Sequence, residues 1–563
     1  MKTYHDLFIK NIDIFALALN ENKTRRGRQS NGEQGGYGVI KLRSLILDLA
    51  IKGYISEQFE SDEPSHQLIQ RILVKKSEVL LRQKIKSDFN VASKRVDMPF
   101  DLPRSWVWAT LGDIGWTQTG STPPKNDPSM FGSEIPFIKP ADIYKNHVNY
   151  SNEGLSIEGA KTSSRMAKAG SLLMVCIGTI GKCNLIERDC SFNQQINSLT
   201  PCLMNSDYLL LALRSNYFQK SAWAKSSSTT IPILNKGKWE KILIPIPPLD
   251  EQQRIVDRVN ELMTLFDILD VKNLDLFDTH NSLVNEVLAN LNKKRNSFEF
   301  EKSWGVVVAN FDTLFTTLNS IGSLRRTLLS LAVTGKLVPQ MKSEDSAQNL
   351  FSNIQAHKYR FSPKGRKTPN QTQALIINRD ELPDGWVVYK FGDLVINRDS
   401  ERVPVSAEAR QAMSGEFDYY GASGVIDKVN DYLFDEPLLL IGEDGANLIN
   451  RSTPIAFMAH GKYWVNNHAH VLGGISVDFL RYLELYINSI DLRPYITGTA
   501  QPKMNQAKMN SIEVWIPPAA EQLRILAKLE ELLDFCDQLE QKINQLNVMK
   551  RKIADALVEQ ALA

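Results

Sequence analysis

A chain of 563 residues is too long for a single hydrophobic core, and the usual size of domains predicts about three to five compact units. Hydrophobic residues make up 43% and charged residues 23%, as in ordinary globular proteins, and no apolar run approaches the roughly 18 residues that a bilayer-spanning helix needs. The N-terminus has no secretory apolar segment, so we expect a cytoplasmic protein. The net charge of +2 does not exclude nucleic acid, because an acidic face can balance a basic one.

The five cysteines predict neither disulfides nor a metal site. Four of them, Cys176, Cys183, Cys190 and Cys202, form a cluster that contains no CxxC pair and no histidine. Structural zinc sites need closely spaced Cys or His ligands. We therefore expect reduced thiols buried in strands.

Two short helical patterns begin the chain, and both occur twice. Asn11-Ile12-Asp13 returns as Asn310-Phe311-Asp312, and the pattern of residues 42–53 returns at residues 324–335. Each copy of the second pattern ends in a glycine that suits a left-handed C-cap. The basic interval 21–37 occurs only in the first copy and is interpreted as a solvated loop, while basic connectors at residues 75–95 and 358–367 are interpreted as linkers.

The next region is marked by an opening motif and a closing motif, and each motif occurs twice. The opening motif is Leu-Pro-x-x-Trp at residues 102–106 and 382–386, and the closing motif is Pro-Pro-x-x-Glu-Gln at residues 247–252 and 517–522. The closing motifs lie 270 residues apart. A repeat at fixed spacing predicts a duplicated architecture. We name residues 102–250 the first module and residues 382–520 the second module.

Inside the modules, short apolar runs predict β-strands with glycine-rich ends. Residues 172–177 before Gly178 correspond to residues 438–441 before Gly442, and residues 192–195 correspond to 465–468. Helix starts at Tyr208 and Tyr482 and the Pro232-Asn235 and Pro502-Asn505 pairs also correspond, but residues 119–142 and 398–421 are unrelated. A shared frame with divergent contents predicts one module adapted to two different ligands.

A long heptad pattern follows each closing motif. Its predicted seam positions are Val259, Leu262, Phe266, Leu269, Leu276 and Leu283 in the first copy and Leu529, Leu532, Cys536, Leu539, Leu546 and Ile553 in the second. Asn273 and His280 would interrupt the first seam. Such a seam predicts a coiled-coil helix that needs a partner helix.

The order and duplication of these motifs resemble the specificity subunits of type I restriction-modification systems over nearly the whole chain, in the branch with a longer N-terminal segment. Residues 170–173 with 177–182, and 419–424 with 442–445, add to the resemblance. The resemblance implies an α+β fold with two pseudo-repeated α/β target recognition domains separated by long antiparallel coiled-coil helices. The implied regions are an N-terminal helical region with a basic linker (1–101), target recognition domain 1 (102–250), a central helical spacer (251–320), a short helical repeat with a basic linker (321–381), target recognition domain 2 (382–520) and a C-terminal helix (521–563).

The resemblance also implies the function and the partners. The chain would recognise an asymmetric bipartite site in double-stranded DNA, dock two adenine-methyltransferase subunits, and reach motor/endonuclease subunits through the complex, without catalysing a reaction itself. S-adenosylmethionine, ATP and Mg would bind the partner subunits, with no cofactor or metal on this chain.

The residues themselves agree with a chain that lacks catalytic motifs. The Pro-Pro pairs follow Ile246 and Ile516 rather than Asn or Asp, so they do not form the loop with which an amino-methyltransferase grips a flipped base, and no GxxxxGK[ST] phosphate loop is present. His468 and His470 could face a metal from one strand, but no third ligand is evident and a structural or DNA-facing role is favoured.

DNA recognition needs cations for phosphates, and amides or guanidinium groups for base edges. The candidate residues of the first module are Lys125, Lys139, Lys145, Arg165, Lys182, Gln194, Gln195 and Asn197. Those of the second module are Arg398, Arg402, Tyr419, Tyr420, Asn447, Arg451, Asn466, Asn467 and Lys503.

Two other functions remain open from the residues alone. A coiled-coil assembly scaffold with protein- or glycan-binding modules would share the helices, but its binding would not depend steeply on salt as phosphate contacts do. A nuclease would need a cluster of carboxylates around a metal, and the sequence offers no such cluster.

Overall fold

The computed structural model describes residues 10–16, 18, 36–82, 98–124, 126–163, 165–227, 231–293, 297–361, 382–498 and 501–562. The chain divides into two compact units, Met1–Leu276 with Leu546–Ala563, and Phe277–Gln545. Each unit contains one module, the beginning of one long helix and the end of the other, as antiparallel long helices would give. Residues 21–35 of the basic interval and most of the two basic connectors lie outside the described residues.

The first unit begins with two helices and continues into a module of short strands. Its elements are α1 (Tyr37–Ile51), α2 (Ser65–Arg82), β1 (Val107–Thr110), α3 (Leu111–Ile114), β2 (Gly115–Thr119), β3 (Phe131–Ile138), β4 (Gly154–Leu155), α4 (Ile157–Ser163), β5 (Met166–Ala167), β6 (Leu172–Val175), β7 (Cys183–Leu185), β8 (Cys190–Phe192), β9 (Ile196–Pro201), α5 (Ser206–Arg214), α6 (Asn216–Lys225), α7 (Lys236–Trp239), β10 (Leu243–Ile246) and the first long helix, α8 (Leu249–Lys293). Residues 10–16 are also helical.

The second unit repeats this order of elements. They are α9 (Ser297–Ala309), α10 (Phe311–Leu314), α11 (Leu318–Val333), α12 (Ala347–Phe361), β11 (Val387–Lys390), α13 (Phe391–Leu394), β12 (Ile396–Asn397), α14 (Ala407–Ala412), β13 (Ser414–Gly421), β14 (Gly424–Val429), β15 (Phe434–Asp435), β16 (Leu438–Gly442), α15 (Asn447–Asn450), β17 (Ala456–Ala459), β18 (Lys462–Val465), β19 (Ala469–Gly473), α16 (Val477–Ser489), α17 (Gln506–Asn510), β20 (Glu513–Ile516) and the second long helix, α18 (Ala519–Leu562).

The two modules share one sheet topology. In the first module the strand orders are β2-β9-β6-β7 and β4-β3-β8-β5, and the corresponding orders in the second are β12-β19-β16-β17 and β14-β13-β18-β15. Strands β3 and β8 are parallel, and so are β13 and β18. Residues 119–142 and 398–421 have unrelated sequences. Each nevertheless contains the first strand of this parallel pair. The predicted α+β fold with two related modules is confirmed.

The opening and closing motifs of a module meet at its base. Strand β1 pairs with β10 in an antiparallel ladder, so both ends of the first module leave from one place. The buried Trp106 donates its indole N–H to Glu251 Oε2 at 2.8 Å, and Ser56 Oγ donates to Glu251 Oε1 at 2.8 Å. Burial raises the pKa of Glu251, although these two hydrogen bonds oppose the rise.

The second module is closed in the same way. Strands β11 and β20 pair, and Trp386 donates to Glu521 Oε2 at 3.1 Å, while Gln340 replaces the serine as the second donor. The next residues of the closing motifs also match, because Gln252 and Gln522 each donate to the first proline carbonyl of their own motif at 2.9 Å. The two motifs are thus one structural joint, and the predicted packing role of the tryptophans is confirmed.

We expect Trp106→Phe to lower the free energy of unfolding of the first unit by about 1 to 3 kcal/mol, because a buried carboxylate oxygen loses its donor. Chemical denaturation followed by circular dichroism measures this loss. The matched control is Trp223→Phe, which changes an indole that is 48% exposed and should cost under about 0.5 kcal/mol. Equal losses in the two variants would contradict a structural role for the Trp106 to Glu251 hydrogen bond.

Each helix before a module supports it through a lysine that is buried in the first copy and half-buried in the second. Lys76 in α2 donates to the carbonyls of Gly112 and Gly115, the latter at 2.8 Å, and Lys358 in α12 donates to Gly392 at 2.7 Å. Burial lowers the pKa of both lysines. The interpretation of residues from Lys75 and Lys358 onward as irregular linker is therefore wrong where α2 and α12 extend, because these helices pack on the turns that they support.

The glycines predicted as C-caps adopt the left-handed conformation. Gly53 has φ +76° and Gly335 has φ +70°. A Cβ on either glycine would overlap the proline of the opening motif that follows, Pro103 or Pro383. Both the backbone conformation and the close approach therefore require glycine.

The predicted seam is correct only in the first half of each long helix. Val259 and Phe266 are buried, but Leu276, Leu283, Leu546 and Ile553 are exposed, so their assignment to the seam is wrong. After Asn273 in α8 the half-buried His280 stays on the predicted seam, but Phe277 and Val284 take the places of Leu276 and Leu283, one residue later, and the stripe continues through Leu288 and Leu291. The same pattern of burial recurs 270 residues later in α18, which extends the repeat to the exposed face of the helices. Within the described residues, no helix has the length and hydropathy of a membrane span.

Candidate nucleic-acid interface

Four loops of the first module come together at one end of its β2-β9-β6-β7 sheet. They are residues 120–124 after β2, residues 176–182 after β6, residues 193–195 after β8 and residues 231–234 before α7; we call them the four-loop cluster. Backbone hydrogen bonds join them, from Ser121 to Phe192 at 3.1 Å, from Cys176 to Gln195 at 2.8 Å, and from Gly178 to Pro232 at 3.0 Å. A Cβ on Gly120 would overlap the carbonyl oxygens of Phe192 and Asn193, so glycine permits this packing.

The second module contains the equivalent cluster. Its loops are residues 398–402, 443–446, 466–468 and 501–504. Glu443 N–H donates to His468 O at 2.8 Å, Gly445 N–H to Pro502 O at 3.0 Å, and Met504 N–H to Glu443 O at 2.8 Å. In both modules the fourth loop ends in an asparagine N-cap, because Asn235 and Asn505 accept from the backbone N–H of Lys238 and Lys508. Motifs that lie far apart in the sequence thus form one surface in each module.

A buried asparagine shapes the third loop of each cluster. Asn193 Oδ1 accepts from Gln195 N–H at 3.0 Å, and Asn466 Oδ1 accepts from His468 N–H at 2.8 Å. The next side chains, Gln194 and Asn467, are exposed. The turn therefore holds an amide group at the surface, and amides can form paired hydrogen bonds with the edge of adenine.

The structure brings together only part of the candidate set of the first module. Gln194 and Gln195 lie in the third loop, where Thr122 donates to Gln194 Oε1. Lys182 ends the second loop and donates to Pro140 O at 2.7 Å, and burial lowers its pKa. Asn197 is buried below the loops, so its burial does not support direct contact with DNA.

The remaining candidates of the first module lie outside the four loops. Lys139 follows β3 and pairs with Glu153, while Lys145 and Arg165 are exposed. Lys125 lies outside the described residues. Contact of these four with DNA stays a prediction.

The second module places five candidates in its four loops: Arg398, Arg402, Asn466, Asn467 and Lys503. Arg398 forms ion pairs with Glu401 and Glu436, and Arg402 pairs with Glu443 at 3.1 Å. Both guanidinium groups are therefore already paired with carboxylates of the same module. Lys503 is half exposed. The buried Asn466 shapes its turn, and its burial does not support direct contact with a base.

Four further candidates of the second module surround the cluster. Tyr419 is fully buried, and its hydroxyl accepts from Val405 N–H, so its burial does not support contact with DNA either. Arg451 donates to the carbonyls of Asn488 and Ile490, which is a structural role. Asn447 braces the turn that follows α15, and Tyr420, the residue before the end of β13, accepts from Asn466 N–H of the third loop.

Sequence reasoning missed several residues of the clusters. Thr179, Ile231 and Ile233 are exposed in the loops of the first module, and Thr122 supports Gln194 there. Exposed isoleucines at a turn offer apolar surface, which in DNA readers contacts the thymine methyl group. In the sequence these residues stand in a Gly-Thr pair and an Ile-Pro-Ile run. They were missed because they carry neither the cations nor the amides by which the candidates were chosen.

The cysteines of the chain are buried, and the two histidines His468 and His470 of the second module contact carboxylates. All five cysteines are free and buried, and burial raises the pKa of Cys176 and of Cys190 to about 12. His468 is half exposed and contacts Asp444, whereas His470 is buried against Asp399, so the two rings do not share one environment. Within the described residues, no group of three His, Cys, Asp or Glu side chains could hold a metal ion.

Comparison with known proteins agrees with the duplication of the chain. The family model described as "Type I restriction modification DNA specificity domain" matches residues 103–275 and 383–547, which together exceed half of the chain. The chain belongs to the family of type I restriction-modification DNA specificity subunits. It is the DNA-recognising subunit of such a system, and it is not itself an enzyme.

Individual relatives of this specificity subunit match over its full length. The type I restriction enzyme EcoEI specificity subunit of Escherichia coli is 27% identical over 99% of both chains, and the EcoAI specificity subunit of Escherichia coli is also 27% identical over 99% of both. The solved HsdS subunit from Thermoanaerobacter tengcongensis is 15% identical over 82% of this chain and 98% of that chain, with a TM-score of 0.38.

Proposed function

We propose that the two four-loop clusters are the DNA-contacting surfaces of this specificity subunit, and that each recognises one half of an asymmetric bipartite site in double-stranded DNA. The observation that carries this proposal is that both modules bring four separate loops to the same end of the same sheet. The loops share a backbone frame but differ in nearly every exposed side chain. A common frame with different surface groups supports two readers with different target sequences.

The exposed face of the long helices supports a proposal for the partners. Leu276 and Leu546 are 69% and 55% exposed at equivalent positions, and Leu283 and Ile553 form a second exposed pair. Exposed apolar residues that form a contiguous patch mark interaction sites, and the repetition of these exposed positions on the two helices supports two copies of one partner. We propose that adenine-methyltransferase subunits dock there, and that motor/endonuclease subunits join through the complex.

The chemistry would belong to these partner chains. S-adenosylmethionine, ATP and Mg would bind the methyltransferase and motor subunits, and this chain would supply position and sequence selection only. A cytoplasmic location, expected because chromosomal and invading DNA meet there, stays a prediction.

Salt-dependent DNA binding tests the proposal. We expect the affinity of the complex of this chain with its methyltransferase partner for its DNA site to fall at least about 100-fold between about 50 and 200 mM salt, since phosphate contacts release counterions. A gel-shift titration at several salt concentrations measures the change, with a scrambled duplex of the same length as the control. Affinity that is independent of salt, or equal affinity for the two duplexes, would instead favour a scaffold with protein- or glycan-binding modules.

A further inference from the structure

The two four-loop clusters differ in the charge of the side chains at their aligned positions. Strand pairing, isolated bridges and loop hydrogen bonds align several positions of one cluster with positions of the other, because β2, β6 and β9 correspond to β12, β16 and β19. The aligned pairs, first module before second, are Thr119 and Asp399, Cys176 and Glu443, Ile177 and Asp444, Asn197 and His470, and Ile233 and Lys503. One set is almost entirely neutral, and the other consists of ionisable groups.

In the first module, these positions form a small neutral network. Thr119 Oγ1 donates to Asn197 Oδ1 at 2.8 Å, and Asn197 Nδ2 donates to Cys176 Sγ at 3.2 Å. Burial raises the pKa of Cys176 to about 12, so its thiol stays protonated at neutral pH. This network has no group that changes charge near neutral pH.

In the second module, the equivalent of Asn197 is His470, whose side chain is only 2% exposed. Its Nδ1 lies 2.6 Å from Asp399 Oδ2, and its Nε2 lies 3.1 Å from the carbonyl oxygen of Met504. Both partners are acceptors, so satisfying both contacts requires a proton on each ring nitrogen. The geometry therefore selects the imidazolium form, which bridges the first loop, through Asp399, to the fourth loop, through Met504.

Other charges surround this bridge. Arg402 lies 3.1 Å from Glu443 and 3.5 Å from Asp399, Lys503 lies 3.1 Å from Glu443, and His470 lies 4.0 Å from Glu443. Burial alone would raise the pKa values of Asp399 and Glu443, but these hydrogen bonds and cations hold both below their usual values. The carboxylates thus stay ionised at neutral pH, so Asp399 remains a hydrogen-bond acceptor toward His470.

We propose that His470 is a positioning residue whose two hydrogen bonds fix the first and fourth loops of the second module, so that recognition of one half-site depends on its protonation. Recognition of the other half-site, by the neutral network of the first module, does not. This inference rests on the proposed function, in which each cluster recognises one half-site. Loss of a ring proton would leave either Asp399 or the Met504 carbonyl without its donor, and both loops would lose a shared anchor.

The test uses the complex of this chain with its methyltransferase partner and duplexes altered in one half-site at a time. The measured quantity is discrimination, the ratio of the dissociation constants of altered and intact duplexes. For the native chain we expect discrimination at the second-module half-site to fall several-fold between about pH 6 and about pH 9, and discrimination at the first-module half-site to stay constant.

Variants separate His470 from its neighbours. His470→Asn should lower discrimination at the second-module half-site by about 10-fold or more at neutral pH and remove its pH dependence, because charge-assisted hydrogen bonds are lost. Asp399→Thr combined with His470→Asn installs the Thr and Asn pair of the first module, and should restore discrimination without restoring the pH dependence. His468→Asn should keep the pH dependence, and His460→Asn on the exposed β17–β18 turn is the control for an unrelated histidine.

The outcomes distinguish this inference from the proposed function. If both half-sites are discriminated but neither responds to pH, or if His470→Asn keeps the native pH profile, the positioning role is wrong and the proposed function stands. If the native chain at neutral pH discriminates neither half-site, the proposed function itself fails. Because the pH profile of the native chain needs no variant, the inference can be tested even if His470→Asn fails to fold.

Discussion

Replacing residues 102–249 with the corresponding module of another type I specificity subunit changes one half of the methylated DNA motif and leaves the other half as it was. All four loops of the first cluster lie inside this segment, and so do both strands of the β1–β10 ladder. Glu251, outside the segment, receives its hydrogen bond from the tryptophan of the opening motif. A donor module that carries its own Leu-Pro-x-x-Trp therefore completes the joint.

The expected effect is large. A half-site in which three base pairs are changed should lose roughly 3 to 9 kcal/mol of binding free energy for the exchanged module, at about 1 to 3 kcal/mol for each mismatch. Sequencing of methylated bases in cells that carry the complete system measures the new motif directly.

The exchange of residues 382–519 is the matched control, and it should change only the other half. A change in both halves, or in neither, after a single exchange would show that the modules do not act independently.

Introducing Leu276→Glu together with Leu546→Glu should prevent assembly with the methyltransferase while leaving the specificity subunit folded. Both side chains are more than half exposed, so the free energy of unfolding should change by less than about 0.5 kcal/mol. If a partner covers them, each substitution removes about 1.5 to 3 kcal/mol of apolar burial and adds the cost of a desolvated carboxylate. The affinity of each partner copy should fall by at least about 10-fold.

Native mass spectrometry of the mixed subunits measures this effect as stoichiometry. The double variant should lose both partner copies, and each single variant should accumulate an assembly with one copy, because the two leucines occupy equivalent positions. Ile157→Glu, an exposed apolar position of the first module, is the control and should keep both copies. Full assembly of the double variant would exclude this face of the helices as the docking surface.

Much of the architecture could be predicted because its signals are local and occur twice. The opening and closing motifs, the glycine C-caps and the ends of β6 and β16 each combine a distinctive residue with a fixed conformation. The prediction of the seam failed after Asn273 because counting heptads assumes an unbroken period. One shifted step moves Leu276 and Leu283 from the buried stripe to the surface, and no single residue signals that shift.

The details of the candidate interface could not be predicted because they depend on which loops meet. Residue type alone favoured Tyr419, Asn197 and Arg451 as DNA contacts. Tyr419 and Asn197 are buried, however, and Arg451 donates to a backbone carbonyl, so these side chains stabilise the module. The correspondence between Thr119 and Asp399 depends on strand pairing, because the sequences around them are unrelated. In the sequence, the ionisable residues of the second module are therefore scattered, and nothing there indicates that they form one charged network.

The joint at the base of each module has a consequence for heredity. Because the chain leaves and re-enters the helical frame at one short antiparallel ladder, a crossover between two related genes needs to match only at the opening and closing motifs. Any stretch between these junctions can be inherited as a cassette, however different its content. A lineage could therefore acquire a new DNA target sequence in one recombination event, while the helical frame on which we propose that the partner subunits dock stays unaltered.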